Sequence, residues 1–252
     1  MQVEGAVALV TGGNRGIGEA FVRRLLAAGA AHVYAAARDP DAAQHLVEEG
    51  GGRVSAVRLD VTDPAQVAAA TEACGDVSIL VNNAGAFLNQ RLIAAPDIEA
   101  ARAEMETNYF GPLLMSRAFA PVLGAHDRSV IVNVLSAGAI VPVPGMGGYS
   151  PSKFAARAMS GCVRAELHDQ GTRVTVLIVG SVDTRMSAHV EGWKETPDTI
   201  AAAGIRAIRR DIDEVDTDVM AVEVRAHLAR DPRGIEEMMR LALGHDTVRT
   251  GR

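Results

Sequence analysis

Cysteine is scarce in this 252-residue chain: only Cys74 and Cys162 occur. Two cysteines make neither a disulfide framework nor a cysteine-based metal site, so a reducing cytoplasm is the expected compartment. The seven histidines are scattered without ligand spacing, which favours structural or exposed roles over metal binding. Long apolar runs are lacking too. None approaches the ~18 residues needed to cross a bilayer, and no charged leader with a cleavage site precedes the first apolar segment, so the expectation is a protein neither anchored nor exported. A basic excess is missing as well. The formal net charge is -6 and the isoelectric point near 5.7, which argues against the concentrated basic face of a nucleic-acid binder. The acidic run Asp211, Asp213, Glu214, Asp216 and Asp218 carries Asp216 where a calcium loop needs its sixth-place glycine, which argues against an EF-hand. With no repeat, linker or low-complexity tract, residues 1–252 read as one domain.

What is present suits a large core. Hydrophobic residues make up 48% of the chain and mean hydropathy is +0.10, enough apolar side chain for a single α/β domain. Strand and helix patterns alternate. Val7 to Val10 reads as a buried strand, followed by Thr11-Gly12-Gly13-Asn14-Arg15-Gly16-Ile17-Gly18 and the helical spacing of Phe21, Val22, Leu25 and Leu26, which Gly29 stops. A strand, a glycine-rich turn and a helix N-terminus make an anion site, because backbone N–H groups and the helix dipole converge there; Gly12, Gly16 and Gly18 are assigned to it, and a dinucleotide pyrophosphate is the expected occupant.

His32 to Ala37 is the second strand. An acidic residue after it would hold a ribose 2'-hydroxyl and repel a 2'-phosphate; this chain has Arg38 there instead, with Arg15 as a second guanidinium for a phosphate. The weaker alternative is that both are ordinary surface arginines, and Asp39 could cap the next helix instead of repelling phosphate. The third strand, from about Arg53 to Leu59, ends at Asp60-Val61, and Asp63-Pro64 opens a helix. Val77 to Val81 makes a fourth strand ending in Asn82-Asn83-Ala84-Gly85, where small residues let backbone approach a flat ring and asparagines can tie strands together. One long helix is predicted from about Asp97 to Leu123, with Asn108 interrupting its apolar stripe.

The stretch from Asn133 to Lys153 is the centre of the pattern. Val130, Ile131, Val132 and Val134 form a buried strand, Ser136 stands at its end, and after a Pro/Gly-rich loop a helix begins near Tyr149 with Pro151 in its first turn. Tyr149 and Lys153 are then one turn apart on one face. A nearby ammonium favours the phenolate and brings a tyrosine toward a useful proton-transfer range. A hydroxyl, a phenol and a lysine together fit proton transfer at a carbonyl oxygen while a hydride moves elsewhere.

Taken together, Thr11-Gly12-x-x-x-Gly16-x-Gly18, Asn82-Asn83-Ala84-Gly85, Asn108, Ser136 and Tyr149-x-x-x-Lys153 resemble, in order, the motifs of the short-chain dehydrogenase/reductase family, over roughly Val7 to Thr184. The resemblance implies a Rossmann-type, doubly wound parallel sheet with helices on both faces and a nicotinamide cofactor at the carboxyl ends of the strands. It implies Tyr149 as general acid/base, Ser136 orienting the substrate carbonyl, Lys153 holding the nicotinamide ribose, and Asn108 anchoring a water that links Lys153 to solvent. Cofactor contacts carried over are Gly12, Asn14, Arg15, Gly16, Ile17, Gly18, Arg38, Asp60, Val61, Asn83, Ala84, Gly85, Tyr149, Lys153, Gly180 and Thr184, with Ala37-Arg38 resembling the NADP(H)-preferring pattern over NAD(H). A small-molecule carbonyl or secondary alcohol is the implied substrate, and a homodimer or homotetramer the implied assembly.

Two stretches depart from the family. After the strand Val174 to Val179 the family's Pro-Gly becomes Val179-Gly180, with Thr184 kept four residues on, and the C-terminal Val-Asp-Gly-Gly is absent. The part from about 185 to 252 is the variable one. Met186 to Thr196 is expected to be a loop beside the substrate, where Trp193 either joins Met186 in an apolar lid or fills a core gap. Phe87, Ile140, Val143 and Met146 would line the opposite wall and suit an apolar substrate. Thr196-Pro197-Asp198 opens a helix ending near Arg209 and Arg210, both read as solvated, and Asp231-Pro232 opens a last helix through Leu243 whose Met238, Met239, Leu241 and Leu243 look like packing. A non-redox enzyme on this scaffold and a nucleotide-sensing protein without catalysis are the alternatives; the intact Ser136, Tyr149 and Lys153 argue against both.

Overall fold

A computed structural model of the chain describes residues 1–249, with side chains placed through Leu241. Seven strands, β1 (Val7–Thr11), β2 (His32–Ala37), β3 (Val54–Arg58), β4 (Ile79–Asn82), β5 (Ser129–Val134), β6 (Thr172–Ile178) and β7 (Glu214–Asp216), pair in the order β3-β2-β1-β4-β5-β6-β7. Every pairing is parallel. The order reverses between β1 and β4, and open α/β sheets bind ligands at such a switch point, outside the carboxyl ends of the strands.

Alternate strand residues feed two different cores, as the two-residue period of a strand dictates. Ala8 and Val10, Ile79 and Val81, and Val130 and Val132 point to one face, where α1 (Gly16–Ala27) and α7 (Pro197–Arg209) contribute Phe21, Leu25, Ile200 and Ile208. Leu9, Leu80 and Ile131 point to the other, against α3 (Pro64–Ala73) and α5 (Gly111–Gly124), with Val67, Met115, Phe119 and Leu123. Each fully buried large side chain contributes about 1.5–3 kcal/mol, and emptying one such site, as in Phe119→Ala, costs roughly 3–5 kcal/mol. A short helix, α2 (Gln44–Glu49), follows β2.

The segment predicted as one helix from Asp97 to Leu123 is broken in three. It runs as α4 (Glu99–Met105), a π-turn over Glu106–Phe110, and then α5. Pro112 has no N–H to return to the carbonyl four residues back, Asn108, and the Gly111 N–H reaches Glu106 O instead. The helix that carries Tyr149 and Lys153, α6 (Tyr149–Glu166), begins where the sequence places it.

Beyond the predicted elements lie β7, α8 (Val219–Arg230) and the far reach of α9 (Pro232–Arg249). The acidic run of the sequence is in part this edge strand. Glu214 pairs with Arg157 and Arg225, and Asp216 with Arg225, while Asp218 caps α8, so the carboxylates serve as charged edge and cap. The packing expectation for the last helix is corrected. Met238 and Leu241 are exposed and Met239 half-buried, whereas Ile235 is the residue that enters the core; the side chain of Leu243 lies outside the described residues. Among the described residues no helix is long and apolar enough to cross a membrane, and no cluster of His, Cys, Asp and Glu could hold a metal ion.

Candidate active site

At the carboxyl end of β1 the glycine-rich turn folds tightly back on itself. Gly12 and Gly16 adopt φ of 62° and 54°, a left-handed conformation that glycine alone takes readily. Arg15, the N-cap of α1, is extended and offers no side-chain acceptor to the helix, so the first N–H groups of a 12-residue helix are left for an anion. Thr11 and Asn83 staple this turn to the end of β4. Thr11 Oγ1 accepts from Asn83 N at 2.9 Å and Ala84 N at 3.0 Å, and Asn83 Nδ2 donates to Thr11 O at 2.9 Å. Asn14 and Ile17 stay partly accessible on the same turn.

The rest of the predicted cofactor set arrives from neighbouring strand ends. Arg38 is exposed just past β2, and Arg58, at the end of β3, donates to Arg38 O at 3.0 Å, placing a guanidinium beside it that the sequence reading passed over. Neither Arg15 nor Arg38 forms an ion pair among the described residues. Asp39 accepts from Asp41 N at 3.2 Å, which makes it a cap. Asp60 holds Thr62 N and Oγ1 at 3.0 and 2.7 Å, and the buried Val61 packs on Gly111. A β-carbon on Gly85 would lie 3.2 Å from Asn108 Oδ1 and 3.7 Å from Lys153 Nζ, so these three residues converge.

Past β6, Gly180 N donates to Asp218 Oδ2 at 2.7 Å, and Thr217 Oγ1 reaches the same oxygen at 3.0 Å. This carboxylate restrains the turn that the family's proline would stiffen. Ser181 Oγ, next along, is buried without a hydrogen-bond partner among the described residues. An uncapped helix N-terminus over the glycine turn and an orphaned hydroxyl on the facing loop suit a bound dinucleotide.

Ser136, just beyond β5, is the N-cap of a 3-10 turn over Ala137–Ala139. Its hydroxyl accepts from Gly138 N at 3.1 Å and lies close enough to the Tyr149 phenol to favour its ionised form. Lys153 is 5% exposed, with Nζ 3.1 Å from Val134 O and 5.6 Å from the centroid of the Tyr149 ring. The sequence reading has this ammonium lowering the phenol. In the structure burial dominates instead: Tyr149 keeps part of its ring accessible, yet its pKa is pushed up to about 12 by burial, lowered by Ser136 and raised by Glu104. Burial lowers Lys153 to about 8, so it stays largely charged at neutral pH.

Asn108 carries a wider job than the water anchor implied for it. Its Oδ1 accepts from Ala86 N at 2.8 Å, and its Nδ2 donates to Ala86 O at 2.9 Å and Ser152 Oγ at 3.0 Å. Ser152 in turn donates to Tyr149 O at 2.6 Å. Glu104, Ser152 and Asp218 were passed over by sequence reasoning, although Glu104, one turn before Asn108 on the same stripe, is an acidic residue at an apolar position.

The wall expected to face the substrate is aromatic and aliphatic. Phe87 meets Tyr149 edge-on at 5.3 Å and lies against His189 at 5.3 Å. Ile140 is buried, while Val143 and Met146 are half-buried. Trp193 is 65% exposed, so it fills no core gap; it stands on the loop after a 3-10 turn at Arg185–Ser187, with Met186 also exposed.

Comparison with known proteins gives a consistent result. The profile of the short chain dehydrogenase family matches residues 6–195. A crystal structure of a short chain dehydrogenase from Burkholderia cenocepacia in complex with NADP is 40% identical and superposes with a TM-score of 0.89, covering 95% of this chain and 99% of that one. The 1-deoxy-11-beta-hydroxypentalenate dehydrogenase of Streptomyces exfoliatus is 36% identical over 196 residues, 74% of this chain and 70% of that protein. The bovine dehydrogenase/reductase SDR family member 7B is 31% identical over 201 residues, 74% of this chain, and the match spans only 61% of its length.

Proposed function

The chain belongs to the short-chain dehydrogenase/reductase family, and from that premise we propose that it is an NADP(H)-dependent oxidoreductase moving a hydride between the nicotinamide and a carbonyl or secondary alcohol. The observation that carries this reading is the convergence of Ser136, Tyr149 and Lys153 at the carboxyl end of β5, beside the glycine turn. The bound nicotinamide supplies or accepts the hydride. Tyr149 holds a proton on Oη for the carbonyl oxygen in reduction, or takes one from the alcohol in oxidation. Ser136 orients that oxygen and steadies the phenol. The buried Lys153 ammonium stabilises the phenolate that remains, and the small residues Ala84 and Gly85 after Asn83 let backbone approach a flat ring beside it.

Arg38 and Arg15, free of carboxylate partners among the described residues, support NADP(H) over NAD(H), with Arg58 close by. Phe87, Ile140, Val143 and Met146 favour an apolar substrate, with Met186 and Trp193 as its lid. The reading places the protein in the cytoplasm as a homodimer or homotetramer. Ketones, quinones, steroids and β-ketoacyl thioesters are the substrate classes to try.

The test is NADPH consumption across a panel of those carbonyls, wild type against Tyr149→Phe. The phenol's loss should cost about 10²–10⁴-fold in turnover while NADPH still raises the melting temperature of both proteins. Retained turnover in the variant would remove Tyr149 from the chemistry. Thermal stabilisation by NADPH without any turnover would favour a nucleotide sensor.

A further inference from the structure

Behind the catalytic helix lies a buried carboxylate that the hydride and proton steps do not use. Glu104, in α4, is 1% exposed and pairs with no cation among the described residues. A backbone donor holds it instead: Leu88 N donates to Oε1 at 2.7 Å. Its other oxygen, Oε2, lies against the start of α6, 2.9 Å from where a β-carbon on Gly148 would stand. The carboxylate thus touches two separate pieces of chain: the stretch after β4 that carries Phe87, and the start of α6.

The N-cap residue of α6 is Gly148, which has no side chain to offer, so the 18-residue helix has no cap of its own. Glu104 reaches that end from another helix and sets its carboxylate against Gly148, at the positive end of the α6 dipole. Asn108, four residues on, makes the same kind of bridge one level up, from Ala86 to Ser152. At that spacing the two side chains share a face and bracket the substrate wall against the catalytic helix.

We propose that Glu104 is a positioning residue that clamps the first turn of α6, and with it Tyr149, to the segment bearing Phe87. The proposal rests on the reading of Tyr149 as the proton-transfer group. Burying a carboxylate is costly, and removing this one leaves the Leu88 N–H unpaired and takes the acceptor away from the uncapped start of α6. Its charge also acts on the phenol. Tyr149 faces Ser136 from the end of β5, Lys153 on its own helix, Glu104 from α4, and His189 behind Phe87; of these Glu104 alone is acidic, burial raises its own pKa, and in its ionised form it holds the phenol's proton on. Arg91 and Asp97 share with Glu104 the lining of a small cavity of about 30 Å³.

Two measurements on wild type, Glu104→Gln and Glu104→Ala test the clamp. In amide hydrogen exchange, Glu104→Ala should speed exchange at least about tenfold in both 86–91 and 147–153 while leaving 7–11 within about twofold. Glu104→Gln, which keeps an acceptor and the shape, should restore protection in at least one of the two. In the pH profile of NADPH-dependent turnover, Glu104→Gln should move the limb set by Tyr149 to lower pH by about half a unit or more, with KM for NADPH within about twofold. Uniform acceleration across the chain, or acceleration in only one of the two segments, would reduce Glu104 to an ordinary stabilising residue and overturn the proposal. An unmoved limb in an active Glu104→Gln protein would overturn it too. If wild type turned over no carbonyl, the functional reading would fall, and the exchange pattern would still decide the clamp.

Discussion

Gly16 and Thr184 face each other across the mouth of the proposed cofactor cleft: a β-carbon on Gly16 would stand 3.3 Å from Thr184 Cγ2. One residue opens α1 and the other caps the 3-10 turn after β6, 168 positions later in the chain. Gly16→Ala therefore meets two obstacles, a φ of 54° and the threonine methyl. The backbone cost is about 1 kcal/mol. The larger effect is expected on NADPH, because a shift of either residue widens the cleft from the turn side. The expected outcome is at least a tenfold weaker Kd by titration of cofactor fluorescence, with a melting temperature only a few degrees lower. Unchanged affinity would show that the turn and the Thr184 loop do not close on the same ligand.

The sheet was legible in the residues because its signals are local. Val130 to Val134 is an apolar run between turn residues, and Tyr149 follows a glycine-rich loop at a helix start, so β5 and α6 could be placed without knowing their neighbours. What escaped depends on contacts far apart in sequence. Asp218 looks like one more acid in a charged run until the fold brings it to Gly180 N, 38 residues earlier. Strand β7 carries two carboxylates and one valine, and pairs with β6 because Arg157 and Arg225 neutralise it. The π-turn at Asn108 needed both Pro112 and the distant Ala86 backbone to be seen. Trp193 gave no periodic signal at all, and its exposure decides between the lid and the core.

Arg38 and Asp39 sit side by side with opposite charges, and the structure separates their tasks. Asp39 is committed to the Asp41 N–H as a cap, while Arg38 is exposed with no carboxylate partner among the described residues. Arg38→Asp should therefore weaken NADPH by about 10–100-fold, the worth of a charge-assisted hydrogen bond of roughly 1.5–3 kcal/mol. NADH should change by less than threefold or tighten, since a carboxylate there can accept from a ribose 2'-hydroxyl. The ratio of the two Kd values is the measurement. Equal losses for both cofactors would show that Arg38 does not read the 2'-phosphate.

Lys153 stabilises the proposed phenolate at the expense of the fold. Burial lowers its pKa from 10.5 to about 8, so between those values the folded chain holds fewer protons at this site than the unfolded chain, and stability rises with pH across that window. Below pH 8 the ammonium is charged in both states and the full burial penalty applies, on the order of 3 kcal/mol. Lys153→Met removes the charge and keeps most of the side-chain volume. It also leaves the Val134 carbonyl without its 3.1 Å donor, which offsets about 1 kcal/mol of the gain. The variant should melt roughly 4–8 °C above wild type at pH 7, and the margin should shrink as pH rises from 8 toward 10.5, because wild type sheds its buried charge over that range. Turnover should meanwhile fall by two orders of magnitude or more, since Tyr149 loses the cation beside it. Thermal melts of both proteins at pH 7 and pH 10 decide the point: a margin that stayed constant with pH would mean the ammonium carries no burial penalty, and the gain would then belong to apolar packing.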